Sequence, residues 1–334
     1  MAQSHIIPVE VDEVRVTTVV DGVIDVLMAG TEVAERYMLG PKWLPVVGAS
    51  PNPLGSMHLV AEHGFSALIK VNRGGSTSTA LFDTGVSQSG LLNNLDALEI
   101  KAHDLQAIIL SHGHANHSLG LPGLVQRLGA RNLPLVLHPD AYLDRKMCCQ
   151  TAMSSRCLLP GNRISNGTTR DYIEVIEETG PSMLVDGGIL VSGEVARRTE
   201  FETGFANHYA NRGGNWEPDP LIMDDQCAIM NLRGQGLVVI TGCGHAGIIN
   251  IIRNAQALTG IQTIHAVTGG FHLTGGLFEP IIPATVSALQ EIGPRYIVPG
   301  HCTGWAATHR IAQAMPDAFI QHSVGTEFVF RAAG

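Results

Sequence analysis

The most informative stretch of the chain is Ser111-His112-Gly113-His114-Ala115-Asn116-His117, which places three histidines within six positions. It follows the apolar run Ala107–Leu110, and such a run before a glycine-containing turn predicts a buried strand that delivers the histidines to a sheet edge. Imidazole is the commonest neutral ligand for zinc and similar ions, which need three or four donors in a fixed polyhedron. The stretch therefore predicts a metal site. The alternative is a polar turn whose histidines are solvated or capping.

The composition is typical of a globular protein with a large core and no extended cationic surface. Of 334 residues, 45% are hydrophobic and 15% are charged, and 30 acidic against 21 basic side chains give a formal charge of −9. Such a charge does not favour the neutralisation of nucleic-acid phosphates or anionic lipid. We therefore expect neither nucleic acid nor a membrane as a partner.

The N-terminus and the cysteine spacing favour the cytoplasm. Residues 1–20 include Glu10, Asp12 and Glu13, so they lack the basic start and apolar run of a secretory signal. No later apolar stretch reaches the roughly 18 residues that span a bilayer. The six cysteines, at positions 148, 149, 157, 227, 243 and 302, lack the regular spacing of a disulfide-stapled domain. We therefore expect reduced thiols in a cytoplasmic protein.

Apolar runs that end in glycine turns alternate with helical segments along the chain. The predicted strands are Val14–Val20, Ser66–Val71, Ala80–Phe82, Ala107–Leu110, Leu135–Leu137, Ile189–Val191, Leu237–Thr241, Thr263–Val267 and Tyr296–Val298. The predicted helices are Leu119–Leu128, Gly247–Leu258, Pro283–Ile292 and Gly304–Ala314. Each half of the chain thus contributes a sheet faced by helices, which predicts an α/β fold with a four-layer αββα sandwich. We predict a single domain over residues 1–334, with a cap or loop inserted around 141–178, where strand character is weak.

The histidine stretch resembles the His-x-His-x-Asp-His signature of the metallo-β-lactamase superfamily. Leu81-Phe82-Asp83-Thr84-Gly85 resembles the Asp-Thr-Gly turn before that signature, and Ser118-Leu119-Gly120-Leu121 is similar to the segment after it. Three later segments resemble those of a narrower branch, the dihydropterin-ribofuranosylaminobenzene-phosphate synthase-like proteins. They are Thr241-Gly242-Cys243-Gly244-His245-Ala246-Gly247, Gly269-Gly270-Phe271-His272-Leu273 and Pro299-Gly300-His301-Cys302-Thr303-Gly304. The resemblance spans roughly residues 14 to 314 and implies a metallo-β-lactamase sandwich, but it does not select a substrate.

The resemblance also implies ligands for two metal positions. His112 and His114 would belong to the first position, and Asn116 and His117 would belong to the second. His301 follows a predicted strand and matches the last ligand of the second position, with a histidine at a helix start as the alternative.

Two histidines and a cysteine in the later segments are further candidates. His245 lies in a turn between a predicted strand and a predicted helix, and we predict that it completes the metal site, with a role in orienting ligands as the alternative. Cys243 could ligate as a thiolate, but a small buried thiol is favoured. We predict that His272 supports a ligand or touches the substrate, and that His272 and Asn116 have catalytic roles.

The chain departs from the superfamily pattern in two places. Asn116 replaces an aspartate, and a neutral amide coordinates weakly and is no base near neutral pH, so the second metal should bind less tightly. The histidine usually found between the signature and the last ligand has no clear counterpart in residues 136–195. The nearby donors are Asp186, which is first interpreted as a turn residue, and Glu194 and His208, which remain unassigned.

The favoured function is hydrolysis of a small-molecule substrate, because a bound metal polarises the substrate and lowers the pKa of water toward about 7. Esters, lactones, phosphoesters and activated carbon–halogen bonds are candidate substrates. Zinc, as one or two ions, is the expected cofactor, with iron or manganese as alternatives. The alternative functions are an iron-dependent redox enzyme on the same fold, or a binding or regulatory protein that lost turnover through Asn116. A homodimer is the commonest assembly for such an enzyme.

Overall fold

Two central sheets pack face to face, and helices cover the outer face of each sheet. The computed structural model describes residues 5–37, 59–151, 154–157 and 169–333. The strands, in chain order, are β1 (Glu10–Val11), β2 (Glu13–Val20), β3 (Ala34–Glu35), β4 (Ser66–Arg73), β5 (Ser76–Phe82), β6 (Ala107–Ile109), β7 (Pro134–Leu137), β8 (Arg145–Thr151), β9 (Ser154–Cys157), β10 (Glu174–Glu177), β11 (Ser182–Leu184), β12 (Ile189–Val191), β13 (His208–Arg212), β14 (Asn215–Pro218), β15 (Cys227–Leu232), β16 (Gly236–Thr241), β17 (Ile264–Gly270), β18 (Tyr296–Gly300) and β19 (Glu327–Arg331). The α-helices are α1 (Gln88–Ala97), α2 (Ala115–Ser118), α3 (Leu121–Leu128), α4 (Ile248–Thr259), α5 (Ile282–Ile292) and α6 (Trp305–Ala314).

The strand order divides the molecule into two large sheets and a small one. The N-terminal sheet has the order β10-β7-β6-β5-β4-β2-β19-β3, and the C-terminal sheet has the order β11-β12-β15-β16-β17-β18 with β1 paired to β15. The third sheet has the order β14-β13-β8-β9. Strands β5, β6 and β7 are parallel, as are β16, β17 and β18. Segments that leave the carboxyl ends of each parallel set therefore emerge at one edge of that sheet.

The central strands are apolar on both faces, which is why they form the inner layers. In β4, Ile69 joins the core between the two sheets, whereas Leu68 packs against the outer helices. In β16, Val238 faces the central core and Val239 faces the other helical layer. Successive side chains of a strand point to opposite faces, so a continuous apolar run buries both faces at once.

The helices supply the two outer layers. Leu91 of α1 and Leu124 of α3 pack on the N-terminal sheet. Ile252 of α4, Leu289 of α5 and Ile311 of α6 pack on the C-terminal sheet. The predicted four-layer αββα sandwich is therefore confirmed.

The turn before α4 is stabilised by a buried carboxylate. Gly247 adopts a φ of 90°, and a Cβ at this position would lie 2.2 Å from the Glu202 carboxyl carbon. Glu202 accepts hydrogen bonds from the backbone amides of Ile249 and Asn250, each at 2.8 Å. A carboxylate at a helix N-terminus satisfies unpaired N–H groups and complements the helix dipole. These contacts hold the end of the turn that carries His245.

All nine predicted strands and all four predicted helices are confirmed, with ends shifted by a few residues. The prediction of weak strand character in residues 141–178 was wrong, because β8, β9 and β10 lie there, while residues 152–153 and 158–168 lie outside the described residues. Strands β8 and β10 pair with β13 and β7 through backbone hydrogen bonds, which do not require an apolar period. Among the described residues, every helix is too short or too polar to cross a membrane.

Candidate metal centre

The candidate site residues lie on connections that leave the carboxyl ends of β6, β16, β17 and β18. Thr241 of β16 pairs with Gly269 of β17, and Gly270 pairs with Gly300 of β18, so these three strands end side by side. His245 and His301 follow the ends of β16 and β18. The structure thus brings together residues that lie far apart in the sequence, and it places every predicted site histidine at this edge.

Three histidines form the first candidate position. His112 Nε2 lies 3.0 Å from His114 Nδ1, and His245 Nε2 lies 3.1 Å from the same His114 atom. One ring nitrogen from each of the three residues lies within 4.8 Å of the others. His112 and His245 are buried, and His114 is partly exposed to the cavity. Three convergent imidazoles with one open side match the ligand set of a catalytic zinc site.

Asp83 orients His112 and His117 through hydrogen bonds. Its carboxylate accepts hydrogen bonds from the Ser111 amide at 2.7 Å, the Ser111 hydroxyl at 2.7 Å and His117 Nδ1 at 2.6 Å. Because the Ser111 hydroxyl proton is donated to Asp83, its oxygen accepts from His112 Nδ1 at 2.9 Å. A neutral imidazole that donates through Nδ1 carries a lone pair on Nε2. The inward Nε2 atoms of His112 and His117 are therefore free to coordinate.

The protonation of the first position suits a metal ion. Burial lowers the pKa of His112, His114 and His245 well below the ordinary value of 6.5, and repulsion from neighbouring imidazoles adds to this in all three. Repulsion from Arg145 contributes in His112 and His114. The rings are therefore neutral near pH 7, which is the ligating form. His245 Nδ1 is buried without a hydrogen-bond partner among the described residues. Neutral, desolvated imidazoles around a single point fit a divalent cation.

The second candidate position has a thiol at its centre. His117 Nε2 lies 3.1 Å from Cys243 Sγ, and the Cys302 thiol donates to the Cys243 carbonyl oxygen at 3.2 Å. Asn116 Nδ2 donates to His301 Nε2 at 3.1 Å. Burial raises the pKa of the Cys243 thiol well above its ordinary value and lowers the pKa of His301 to about 3. Ligand atoms of three groups, each including Cys243, lie within 4.8 Å of one another: His112, His117 and Cys243; Cys243, His245 and His272; and Cys243, His301 and Cys302.

His272 lies between the first position and an aromatic wall. Its ring centroid is 4.1 Å from that of His245 and 4.4 Å from that of Phe278. Its φ is 45°, in the left-handed region, so the backbone turns sharply where it presents this ring. His272 Nδ1 is buried without a hydrogen-bond partner among the described residues. The ring also belongs to the lining of the cavity described below.

The three donors considered for the missing middle ligand are placed very differently. Asp186 lies in the hairpin turn between β11 and β12, whose strands pair so that this turn is at the end of the sheet away from the site. Glu194 contacts His138 Nε2 at 3.2 Å. His208, the first residue of β13, places its Nε2 2.8 Å from His114 Nε2. Only His208 of these three contacts a candidate ligand in the described part of the chain.

A buried ion pair ties the histidine turn to the third sheet. The Gly113 amide donates to Asp224 Oδ2 at 2.8 Å, and Arg145 of β8 donates to both oxygens of Asp224 at 2.8 and 2.6 Å. A Cβ on Gly113 would lie 2.1 Å from the Ala141 carbonyl oxygen, so this position excludes a side chain. Sequence reasoning missed Arg145 and Asp224, because their contacts join segments far apart in the chain.

A cavity of about 690 Å³ opens above the candidate metal centre. Its apolar wall includes Val86, Met147, Phe205, Leu277 and Phe278. Among the described residues that line it there is no Asp or Glu. Lys146 contributes a cationic group, whereas the Arg145 guanidinium is paired with Asp219 and Asp224. Lys146 Nζ lies 4.1 Å from the ring centre of Trp216. The volume is that of a small-molecule site, and its charge favours neutral or anionic molecules.

Comparison with known proteins agrees with this geometry. A family model described as the metallo-beta-lactamase superfamily matches residues 60–301, more than two thirds of the chain. The 7,8-dihydropterin-6-methyl-4-(beta-D-ribofuranosyl)-aminobenzene-5'-phosphate synthase of Methanocaldococcus jannaschii is 28% identical over 267 residues, covering 78% of this chain and 87% of that protein. An uncharacterized protein of the same organism is 32% identical over 261 residues, covering 76% and 88%.

Comparison with solved structures concerns the fold. A solved structure described as a metal-dependent hydrolase of the beta-lactamase superfamily has a TM-score of 0.69 and 22% identity, covering 96% of this chain and all of that one. This likeness shows the shared fold. The superfamily model extends from before β4 to His301 and so includes the connections that carry the candidate ligands. The chain belongs to the metallo-β-lactamase superfamily.

Proposed function

We propose that the chain is a metal-dependent hydrolase that acts on a small molecule. The observation that carries the proposal is the convergence of neutral imidazole nitrogens from His112, His114 and His245 beneath the cavity. A metal ion bound there would act as a Lewis acid that polarises a substrate oxygen and lowers the pKa of water toward about 7. The fold, the ligand set and the cavity together support this chemistry.

Zinc is the ion that the donors favour. Among the described residues, the candidate metal-binding groups contain only histidine and cysteine. Nitrogen and sulfur donors suit zinc, whereas manganese prefers oxygen and many non-haem iron sites include a carboxylate. The donor set therefore argues against the alternative of an iron-dependent redox enzyme.

Two residues near the ligands have separate chemical roles in the proposal. The Asn116 amide holds His301 through a hydrogen bond and can present its oxygen to a ligand or a substrate, but it cannot accept a proton near neutral pH. His272 lies beside His245 at the aromatic wall, where its ring can exchange a proton with a substrate group. We therefore assign proton transfer to His272 and positioning to Asn116.

The substrate would be a neutral or anionic molecule with an apolar body. The cavity has an aromatic and aliphatic wall, the cationic side chain of Lys146 and no acidic residue among its described lining. A second candidate activity is a synthase reaction like that named for the 28% identical relative, whose name includes a phosphate ester. The Lys146 ammonium, which belongs to the cavity lining, favours such an anionic substrate.

The test measures metal content and turnover in the same preparations. Protein purified without added metal would be analysed for zinc, iron and manganese, and then assayed against chromogenic esters, lactones and phosphoesters before and after zinc addition. We expect zinc as the main ion and hydrolysis that chelation removes. Bound zinc without hydrolysis of any substrate would contradict the hydrolase and favour the synthase or the binding protein. Iron as the main ion would favour the redox enzyme.

A further inference from the structure

We propose that His208, supplied by the third sheet, is a positioning residue that sets the tautomer of His114 and thereby prepares the first metal position. This inference rests on the proposed metal-dependent function. His208 is 1% exposed and lies at the start of β13, outside both central sheets. The third sheet would thus contribute a residue that orients a metal ligand, in addition to forming a wall of the cavity.

The hydrogen-bond chain begins at a carbonyl group that can only accept. His208 Nδ1 lies 2.9 Å from the Asp219 carbonyl oxygen and 3.4 Å from the Asp219 carboxylate. Both are acceptors, so His208 Nδ1 must carry a proton. In the neutral imidazole the other nitrogen, Nε2, then has a lone pair and accepts.

The hydrogen bond between His208 and His114 determines which nitrogen of His114 carries the proton. His208 Nε2 lies 2.8 Å from His114 Nε2, so His114 must be the donor in this pair. Neutral His114 with a proton on Nε2 has a bare Nδ1. Nδ1 is the atom that lies 3.0 Å from His112 Nε2 and 3.1 Å from His245 Nε2. We call the hydrogen bonds from His114 to His208 and from His208 to Asp219 the relay. The relay leaves the His114 lone pair at the point where the three rings converge.

The opposite tautomer would obstruct the site. A proton on His114 Nδ1 would point between His112 and His245 and occupy the space of a cation. The hydrogen bond to His208 opposes that arrangement and also holds the plane of the ring. Groups that fix the far nitrogen of a ligating histidine typically contribute about 10- to 100-fold in metal affinity.

The relay is held rigidly by buried charge. Arg145 of β8 donates to the Asp219 carboxylate at 3.3 Å, and the same guanidinium binds Asp224, which holds the Gly113 amide. The Arg145 side chain is 3% exposed, and those of Asp219 and Asp224 are 6% and 0% exposed. Arg145 thus fixes the relay and the turn between His112 and His114 relative to one another.

The experiment compares two substitutions of His208, only one of which can accept a hydrogen bond. His208→Gln can accept from His114 Nε2 through its amide oxygen, whereas His208→Leu cannot. His265→Leu is the control, because His265 is also buried, at 7% exposure, but packs against Tyr296 and Phe330 away from the site. Zinc affinity would be measured by competition titration. The His114 tautomer would be measured by ¹⁵N NMR of metal-free, histidine-labelled protein.

We expect a proton on His114 Nε2 in the wild type and in His208→Gln. We expect His208→Leu to lose about 10- to 100-fold in zinc affinity, with most of the affinity retained in His208→Gln and in the control. A proton on His114 Nδ1 in the metal-free wild type would overturn the inference, and so would equal affinities of His208→Leu and His265→Leu. The tautomer is measured in the metal-free wild type, so this measurement remains a test if a variant fails to fold. A wild type that does not bind zinc would instead contradict the proposed function.

Discussion

The two candidate metal positions are built from different chemistry, although His112 and His114 of the first and His117 of the second are neighbours on the same turn. The first position has three histidines whose inward nitrogens meet at 3.0 and 3.1 Å. The second has His117, His301 and the Cys243 thiol, and the signature carboxylate is replaced by Asn116. Neutral rings are ready to coordinate, whereas a thiol with a raised pKa must first lose its proton. The difference teaches that the first position has its ligands in the coordinating form, whereas metal binding at the second position depends on deprotonation of Cys243.

Asp83 is the residue that both positions share, so its substitution should have the largest effect. In Asp83→Asn, one carboxylate oxygen becomes an NH₂ group that cannot accept from Ser111 or from His117 Nδ1. We expect zinc affinity to fall by about 10- to 100-fold at each position. Calorimetric zinc titration measures this, with Asp96→Asn as an exposed control. Unchanged affinity at the first position would show that Asp83 does not orient His112.

His301 belongs to the second position alone, so its loss should affect catalysis more than folding. In His301→Ala we expect turnover to fall by about tenfold or more, because a ligand at a strand end shapes the site while contributing little to the core. Melting curves of the metal-free proteins provide the measure of folding. His309→Ala, on the exposed surface of α6, is the matched control. Similar losses in the two variants would show that the effect is not specific to the site.

Acid should destabilise the metal-free protein through its buried histidines. The folded-state pKa of His301 is about 3, and those of His112, His114 and His245 are also lowered, whereas an unfolded histidine titrates near 6.5. Below pH 6.5 the unfolded chain binds more protons, so stability that is present above this pH is lost as the pH falls. Burial raises the pKa of Asp225 to about 6 and also raises the pKa values of Asp21 and Glu202, which acts in the opposite direction. The pKa values of His265 and His322 are lowered as well, so six histidines act against three carboxyl groups.

Denaturant titrations of metal-free protein between pH 7.5 and 5 would measure this dependence. His301→Gln removes one of the six histidines and should give a shallower slope than His309→Gln. A stability that is constant, or that rises as the pH falls toward 5, would contradict neutral burial of these rings.

Asn116→Asp should have the smallest effect, confined to the second position. A carboxylate in contact with a divalent ion supplies charge that the amide lacks, so we expect zinc affinity at this position to rise by about tenfold or more. The rate could move either way, because a second metal can assist the reaction or occupy substrate space. Competition titration of the wild type and the variant is the measurement. Two equally tight sites in the wild type would show that Cys243 already compensates for the missing carboxylate.

The fold was largely predictable because the central strands depend on local apolar runs. In strands such as β4 and β16, apolar side chains lie on both faces, and glycines lie just outside the strand ends. Such strands can therefore be recognised from the sequence without tertiary information. The third sheet was missed because β8, β13 and β14 are polar strands. Their pairing is determined by long-range hydrogen bonds that leave no period in the sequence.

The candidate site was predictable where its residues follow strand ends. His112, His245 and His301 each follow an apolar run, and the structure brings them to the same edge. His208 could not be assigned, because its contact with His114 depends on how the third sheet packs across the cavity. Histidine at the start of a polar strand is a weak local signal. The roles of Arg145 and Asp224 depend on the same packing and were likewise not predicted.

The central claim is that the first position holds a metal ion, and the most direct test is metal content with and without its ligands. Wild type and the double variant His112→Ala, His114→Ala would be purified in parallel, loaded with zinc, desalted and analysed for metal, with melting curves before and after loading. We expect at least one but fewer than two tightly bound ions per wild-type chain, a rise in melting temperature on loading, and loss of both in the double variant. Metal content that is the same in the two folded proteins would contradict the account.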